Sequence, residues 1–340
     1  MKGERRVGGG IWYALAFSGA SLYFIFKGLA GIGPTTDFSQ VDWLLVGLGF
    51  LVQVIVWFSK AARMYFIAVG MDAAVSLWQF CQIYLATCFI SHVTPFNSGG
   101  TPLQIYLLNR QGVNLGKATA LTAVDLGLNT IMFGLLIPVA LAISFQRTGR
   151  RAAYLSGGAL KWLPLLTGLL LITLILIWAL KSWRRFRWSR SLRSFLIRKG
   201  WLKRIYHEWI RFKEGWLLLT RENPLFILGA ALATVAYWLF YLLLAPIITW
   251  AIGNPVSFWQ LIGLQLVYNF AQLLVPTPGG SGGSELLLSY LFRNVSGAGR
   301  IGLFVLLWRG YTFFSSLIFG GFFFWRLTRG SGALDPADSP

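Results

Sequence analysis

The sequence predicts an all-α polytopic membrane protein built as an inverted-topology repeat, with two Pro/Gly-broken re-entrant hairpins and about six full spans. Three observations carry that prediction: a strongly apolar composition, several apolar stretches of spanning length, and one broken segment that occurs twice. Of 340 residues, 56% are hydrophobic and 12% charged, with mean hydropathy +0.63. A soluble domain needs more polar surface than that. An apolar bilayer core about 30 Å thick takes roughly 20 helical residues to cross. Candidate full spans lie at 10–31, 42–69, 117–145, 159–181, 224–251 and 299–326, while 75–112 and 256–295 are hydrophobic but interrupted at their centres by Pro and Gly. The whole of 1–340 reads as a single integral membrane domain, with repeat one at about 42–145 and repeat two at about 224–326.

The first apolar stretch, Ile11 to Gly31, lacks a small-residue cleavage pattern and is longer than a signal-peptide core, so it reads as a retained span. Residues 330–340 are expected to be a disordered tail. Cys81 and Cys88 stand seven apart in one apolar stretch, two helical turns or roughly 10 Å, which is too far for a disulfide. With His92 and His207 they form no metal-ligand cluster, and no metal or cofactor is expected.

The charge decides orientation. Lys+Arg number 30 against 11 Asp+Glu, a net +19. In a soluble protein that balance would suggest nucleic acid. Here it is concentrated between membrane segments, and no nucleic-acid partner is expected. Residues 181–221 carry thirteen Lys/Arg against Glu208 and Glu214, with aromatics interleaved, the composition of a basic interfacial loop in the cytoplasmic headgroup layer. Topology anchoring alone explains such a loop; specific lipid recognition is the sharper alternative. The positive-inside rule puts Lys2, Arg5, Arg6 and this loop in the cytoplasm, and the Lys/Arg-free stretch 31–42 outside. It leaves Arg147, Arg150 and Arg151 outside, against the rule.

The segment Thr94-Pro95-Phe96-Asn97-Ser98-Gly99-Gly100-Thr101-Pro102-Leu103 aligns with Thr277-Pro278-Gly279-Gly280-Ser281-Gly282-Gly283-Ser284-Glu285-Leu286 at a constant offset of 183, and nine of 33 ungapped positions are identical. Upstream, Val75 to Gln79 is echoed by Val256 to Gln260 at an offset shorter by two. The first segment follows a span ending inside and the second a span ending outside, so the copies are expected to enter from opposite faces. Broken helices at membrane depth need protein or a water-filled cavity around them, so the two tips are expected to meet beside a polar cavity. Close packing by Gly is the simpler alternative.

Only Asp125, Glu285 and Arg309 put charge well inside apolar stretches. Each costs about 2.5–3.5 kcal/mol at a helix centre and so needs a partner or a function. Under the offset, Arg309 aligns with Leu126, one residue after Asp125, so an Asp125–Arg309 pair is expected, compatible with a role in holding a phosphate. Glu285 lies at the start of a half-helix, where free N–H groups suit an anion, unless it only complements the helix dipole. His92 reads as a packing residue, and Lys27, Lys60 and Arg63 as side chains that snorkel to an interface. There is no P-loop and no HExxH motif, and no enzymatic activity is expected.

The two tip motifs, with Gln104-Ile105-Tyr106-Leu107-Leu108 after the first and Arg309-Gly310-Tyr311-Thr312 near the end, resemble the signatures of the lysylphosphatidylglycerol synthase transmembrane region, also called flippase-like domain proteins. The resemblance covers nearly the whole chain. It implies a stand-alone member without the soluble aminoacyl transferase domain of the multidomain relatives. Where many members carry an acid-Arg pair, this chain has Asp125-Leu126. The function so implied is a lipid translocase, moving an anionic or aminoacylated phospholipid or glycolipid across a prokaryotic cytoplasmic membrane, with both termini cytoplasmic. Arg309, Asp125, Glu285, Thr94, Ser98, Gly99, Gly100, Thr277, Ser281, Gly282 and Gly283 are the residues expected to contact the headgroup. Membrane lipids are the expected partners, with a lipid-modifying transferase and a second copy of the chain as further candidates. Two other functions fit the same sequence: an ion-coupled transporter of a small anionic solute, and a non-transporting accessory to lipid or glycan synthesis.

Overall fold

The computed structural model describes residues 41–147, 200–254, 256–296 and 300–329. The spans expected at 10–31 and 159–181, the tail, and the basic loop before residue 200 lie outside them. The described residues form helices and short turns, with no strand among them. In chain order the helices are α1 (Trp43–Gly70), α2 (Leu77–Val93), α3 (Gly100–Arg110), α4 (Leu115–Arg147), α5 (Gly200–Leu217), α6 (Pro224–Ala251), α7 (Phe258–Gln272), α8 (Gly283–Phe292), α9 (Ile301–Arg309) and α10 (Ser315–Arg329). Among the described residues, four segments are long and apolar enough to cross a membrane: Trp43–Gly70, Leu115–Leu136, Pro224–Ala251 and Ile301–Arg329. The last joins α9 to α10 through a π-helical turn, Gly310–Phe314.

Helix α1 starts where Asp42 accepts hydrogen bonds from the N–H groups of Leu44 and Leu45, and α6 starts at Pro224, whose missing N–H is no loss at a first position. Each has 28 residues, about 42 Å of helix, enough to cross the apolar layer with length to spare. They lie antiparallel along their length. Asp42 N–H donates to the Ala251 carbonyl at one end (2.9 Å), and Asn223 Nδ2 donates to the Gly70 carbonyl at the other (3.3 Å).

Both broken segments fold in the same way. A capping box of Ser76 and Gln79 starts α2, which ends at a 3-10 turn (Pro95–Asn97) before α3 packs back on it. Helix α7 ends at the turn Pro278–Gly280, and α8 packs back on α7. The backbone repeats with the sequence. Phe96 and Gly279 have φ of 54° and 59°, Asn97 and Gly280 have 54° and 66°, and Asp72 and Gly253, which follow α1 and α6, have 53° and 72°. Lys117 Nζ donates to the Met71 carbonyl (2.8 Å), and its counterpart Arg300 donates to the Ile252 carbonyl (2.5 Å). Each cation thus satisfies a terminal carbonyl at the negative end of its long helix.

The two hairpins open at opposite ends of the α1–α6 pair. At the end marked by Gly70, Arg110 Nη1 donates to the Leu327 carbonyl (3.1 Å) and Gly116 N–H to the Glu208 carboxylate (2.7 Å), which fastens α5 to α4. At the end marked by Asp42, Asn254 Nδ2 donates to the Val295 carbonyl (2.6 Å). The two 3-10 turns meet between these ends. A Cβ at Gly279 would come within 2.5 Å of the Phe313 ring and 2.9 Å of the His92 carbonyl. The core is split along the same line: one cluster gathers Met64, Phe80 and Leu108 of the first half, another Tyr268, Phe292, Phe304 and Trp308 of the second.

Candidate functional site

Among the described residues the buried charges form two separate groups, one in each half. Asp125 on α4, 1% exposed, takes Lys60 Nζ at 2.5 Å and Arg63 Nε at 2.7 Å. Lys60 and Arg63, three apart on α1, share one helix face and so meet the same carboxylate. Lys60 also stands over the Tyr84 ring and Arg63 over the Tyr237 ring, at 5.8 and 5.5 Å from the centroids. In the second half Glu285, fully buried on α8, faces Arg309 (2% exposed) with Oε1 to Nε at 3.0 Å. Its other oxygen accepts the Gly282 N–H at 2.7 Å and so caps α8. Arg309 Nη1 donates to the Gly279 carbonyl and Nη2 to Ser281 Oγ, both at 3.2 Å, and its guanidinium lies 3.9 Å from the Phe313 ring centroid. The cation of α9 thereby holds the second tip.

Two expectations are corrected. Asp125 does not pair with Arg309, because Lys60 and Arg63 reach it from α1, against which α4 packs, while α9 packs on α8 and α6. The offset that set Arg309 beside the counterpart of Asp125 left them one residue apart. One residue is about 100° of helix rotation, so adjacent registers face different neighbours. Lys60 and Arg63 do not snorkel outward; Lys60 is 12% exposed and Arg63 1%, both turned toward Asp125. The Arg that Leu126 does not supply in the acid-Arg pair comes to Asp125 from Arg63 on another helix.

Between the halves lies a cavity of about 160 Å³, lined by Gln53 and Val56 of α1, Tyr84, Cys88 and His92 of α2, Tyr237 and Tyr241 of α6, Gln272 of α7, and Trp308, Arg309, Thr312, Phe313 and Ser316 beyond. About 10–15 Å³ admits one water, so the space suits a small polar group. Arg309 contributes the charge among its lining residues. Lys60 and Arg63 stand behind it against the rings of Tyr84 and Tyr237. With Asp125 and Glu285 these five charges, counted among the described residues, sum to +1: three cations against two carboxylates.

Of the residues expected at the headgroup, Arg309 lines the cavity, and Asp125 and Glu285 hold its cations from behind. The tip residues serve the hairpins. Thr94 Oγ1 donates to the Ile90 carbonyl (2.9 Å) and accepts from Gly99 N–H (3.0 Å). Ser98 donates to the Pro95 carbonyl (2.9 Å), Thr277 to the Ser281 carbonyl (2.7 Å), and Ser281 Oγ accepts from Arg309. Gly100 and Gly283 allow the hairpin arms to close: a Cβ would stand 2.1 Å from Ser91 Oγ in one and 2.5 Å from Val275 Cγ1 in the other. Gly282, at φ 85°, presents its N–H to Glu285.

Sequence reasoning passed over Gln53, Tyr84, Cys88, Tyr237, Tyr241, Gln272, Thr312 and Ser316. The signal was present: Tyr84, Cys88 and His92, then Tyr237 and Tyr241, then Trp308, Thr312 and Ser316, each recur at four-residue spacing and so line one helix face. The π-helical turn directly after Arg309 has no such signal. It sits beside the cation, as such bulges frequently do at functional sites. Among the described residues no three His, Cys, Asp or Glu stand together to hold a metal ion, and both cysteines are free.

The family model described as the lysylphosphatidylglycerol synthase TM region matches residues 11–320. A UPF0104 membrane protein of Archaeoglobus fulgidus is similar, 26% identical over 294 residues, which is 83% of this chain and 86% of the relative. No solved structure matches the chain.

Proposed function

The chain belongs to the lysylphosphatidylglycerol synthase transmembrane-region family, and from that premise we propose that it is a lipid translocase of the cytoplasmic membrane. The observation that carries this reading is the cavity between the two halves, lined by one buried guanidinium and backed by two further cations. A surplus of one positive charge is costly in an apolar layer and favours an anionic occupant. The headgroup phosphate would take Arg309. Its two 3.2 Å bonds to neutral oxygens would yield to a charge-assisted, two-pronged contact, while Glu285 keeps the guanidinium aimed. The acyl tails would stay in the bilayer.

We further read the fold as an inverted-topology repeat with re-entrant hairpins. The repeated φ angles, the Lys117 and Arg300 contacts, and hairpins that open at opposite ends of α1 and α6 support that reading. Its two sides would then alternate around the cavity. We read both termini as cytoplasmic, a reading supported by the basic residues near the start and in 181–221.

Purified protein in liposomes is expected to move tail-labelled anionic phospholipid between leaflets. Arg309→Ala is expected to slow it on the order of tenfold or more, the loss of one charged hydrogen-bonding contact. Rates equal to those of protein-free vesicles, across a panel of anionic and glycosylated lipids, would sink the proposal.

A further inference from the structure

We infer that the headgroup taken by this cavity is a phosphodiester carrying a neutral, hydroxyl-rich group, such as a glycerol or a sugar, and not a cationic aminoacylated one. The inference rests on the translocase reading above and narrows its substrate. Charge is the first argument. Among the described residues, Lys60, Arg63 and Arg309 against Asp125 and Glu285 leave +1 around the cavity. A phosphodiester with a neutral head carries −1 and brings that sum to zero. A choline or ethanolamine head leaves +1, a lysyl ester of phosphatidylglycerol raises it to +2, and a doubly ionised phosphomonoester overshoots to −1. Uncompensated charge is what an apolar surround penalises most.

Hydrogen bonding is the second argument, and it is independent of the first. Gln53 is 4% exposed, lines the cavity, and its side-chain oxygen is buried with no donor among the described residues. His92 Nδ1, also in the lining, is buried with no hydrogen-bond partner among the described residues either. A buried acceptor that stays unmatched costs about 1–3 kcal/mol. The matching ligand therefore brings donors besides its phosphate. An ammonium could donate, but it would enter among three cations. Hydroxyl groups donate without that repulsion, and choline has no donor to offer.

The test uses the full chain in phosphatidylcholine vesicles with trace lipids that share one fluorescent tail: phosphatidylglycerol, phosphatidylcholine, phosphatidic acid and lysyl-phosphatidylglycerol. Phosphatidylglycerol is expected to cross at least about tenfold faster than the other three, the discrimination of a site whose polar groups go unpaired with the wrong ligand. Gln53→Leu is expected to lower the glycerol-to-choline ratio several-fold while leaving the share of the preference that charge supplies, and the wild-type panel decides the matter should that variant fold poorly. Choline or lysyl heads that move as fast as glycerol would overturn the inference and leave the translocase reading standing. If no lipid moves but water-soluble glycerophosphoglycerol is taken up, the headgroup chemistry holds and the lipid reading falls. If neither moves, both fall.

Discussion

Asp125 shows why a buried ion pair is more costly to break than to lack. Its single carboxylate pairs with two cations on α1, one fully buried, so Asp125→Asn removes the counter-charge that both share. That variant is expected to lose about 3–5 kcal/mol of stability, read as a lower unfolding temperature in detergent and less folded protein. Adding Lys60→Met should recover part of the loss, since one cation then needs no partner. A double variant no better than Asp125→Asn alone would show that the pairing is not what holds α1 to α4. Arg309 differs: it binds a helix to a tip through Glu285, Gly279 and Ser281 and faces the cavity as well. Its substitution should therefore affect transport and stability together, whereas that of Asp125 should fall first on stability.

At the level of elements, the two tips solve one backbone problem with different residues. Each has two successive left-handed positions, filled by Gly279 and Gly280 in one copy and by Phe96 and Asn97 in the other. A side chain costs roughly 1–2 kcal/mol in that conformation, with Asn the better tolerated. Phe96 is exposed, so Phe96→Gly removes strain at little loss of packing and is expected to hold or raise the unfolding temperature. Gly279→Ala does the reverse. Its Cβ meets the His92 carbonyl and the Phe313 ring where the two tips touch, and it is expected to lower that temperature by several degrees. If both substitutions behave alike, the tips are not under the constraint described. That these segments break was legible from Pro and Gly alone. That Phe96 takes a glycine conformation was not, because the alignment reports identity and not φ.

For the whole molecule, the reading of opposed hairpins predicts sidedness. Asn114, after the first hairpin, and Asn294, after the second, are both exposed. With Cys81 and Cys88 replaced, Asn294→Cys should react with a membrane-impermeant thiol reagent on intact cells. Asn114→Cys should react only after permeabilisation. Labelling of both from the same face would overturn the inverted arrangement.

The membrane class, the spans at α1, α4, α6 and α9–α10, the duplicated tips and the identity of three buried charges were all determined by sequence. These properties are local or additive: hydropathy sums along a stretch, Pro and Gly act on their own backbone, and a repeat is visible as identity. Tertiary structure decided which charge meets which, turned Lys60 and Arg63 inward, and gathered Gln53, Tyr84, Tyr241 and Arg309 around one cavity. Those outcomes depend on the relative rotation and tilt of helices far apart in the chain. A single residue of rotation, about 100°, separates one partner from another.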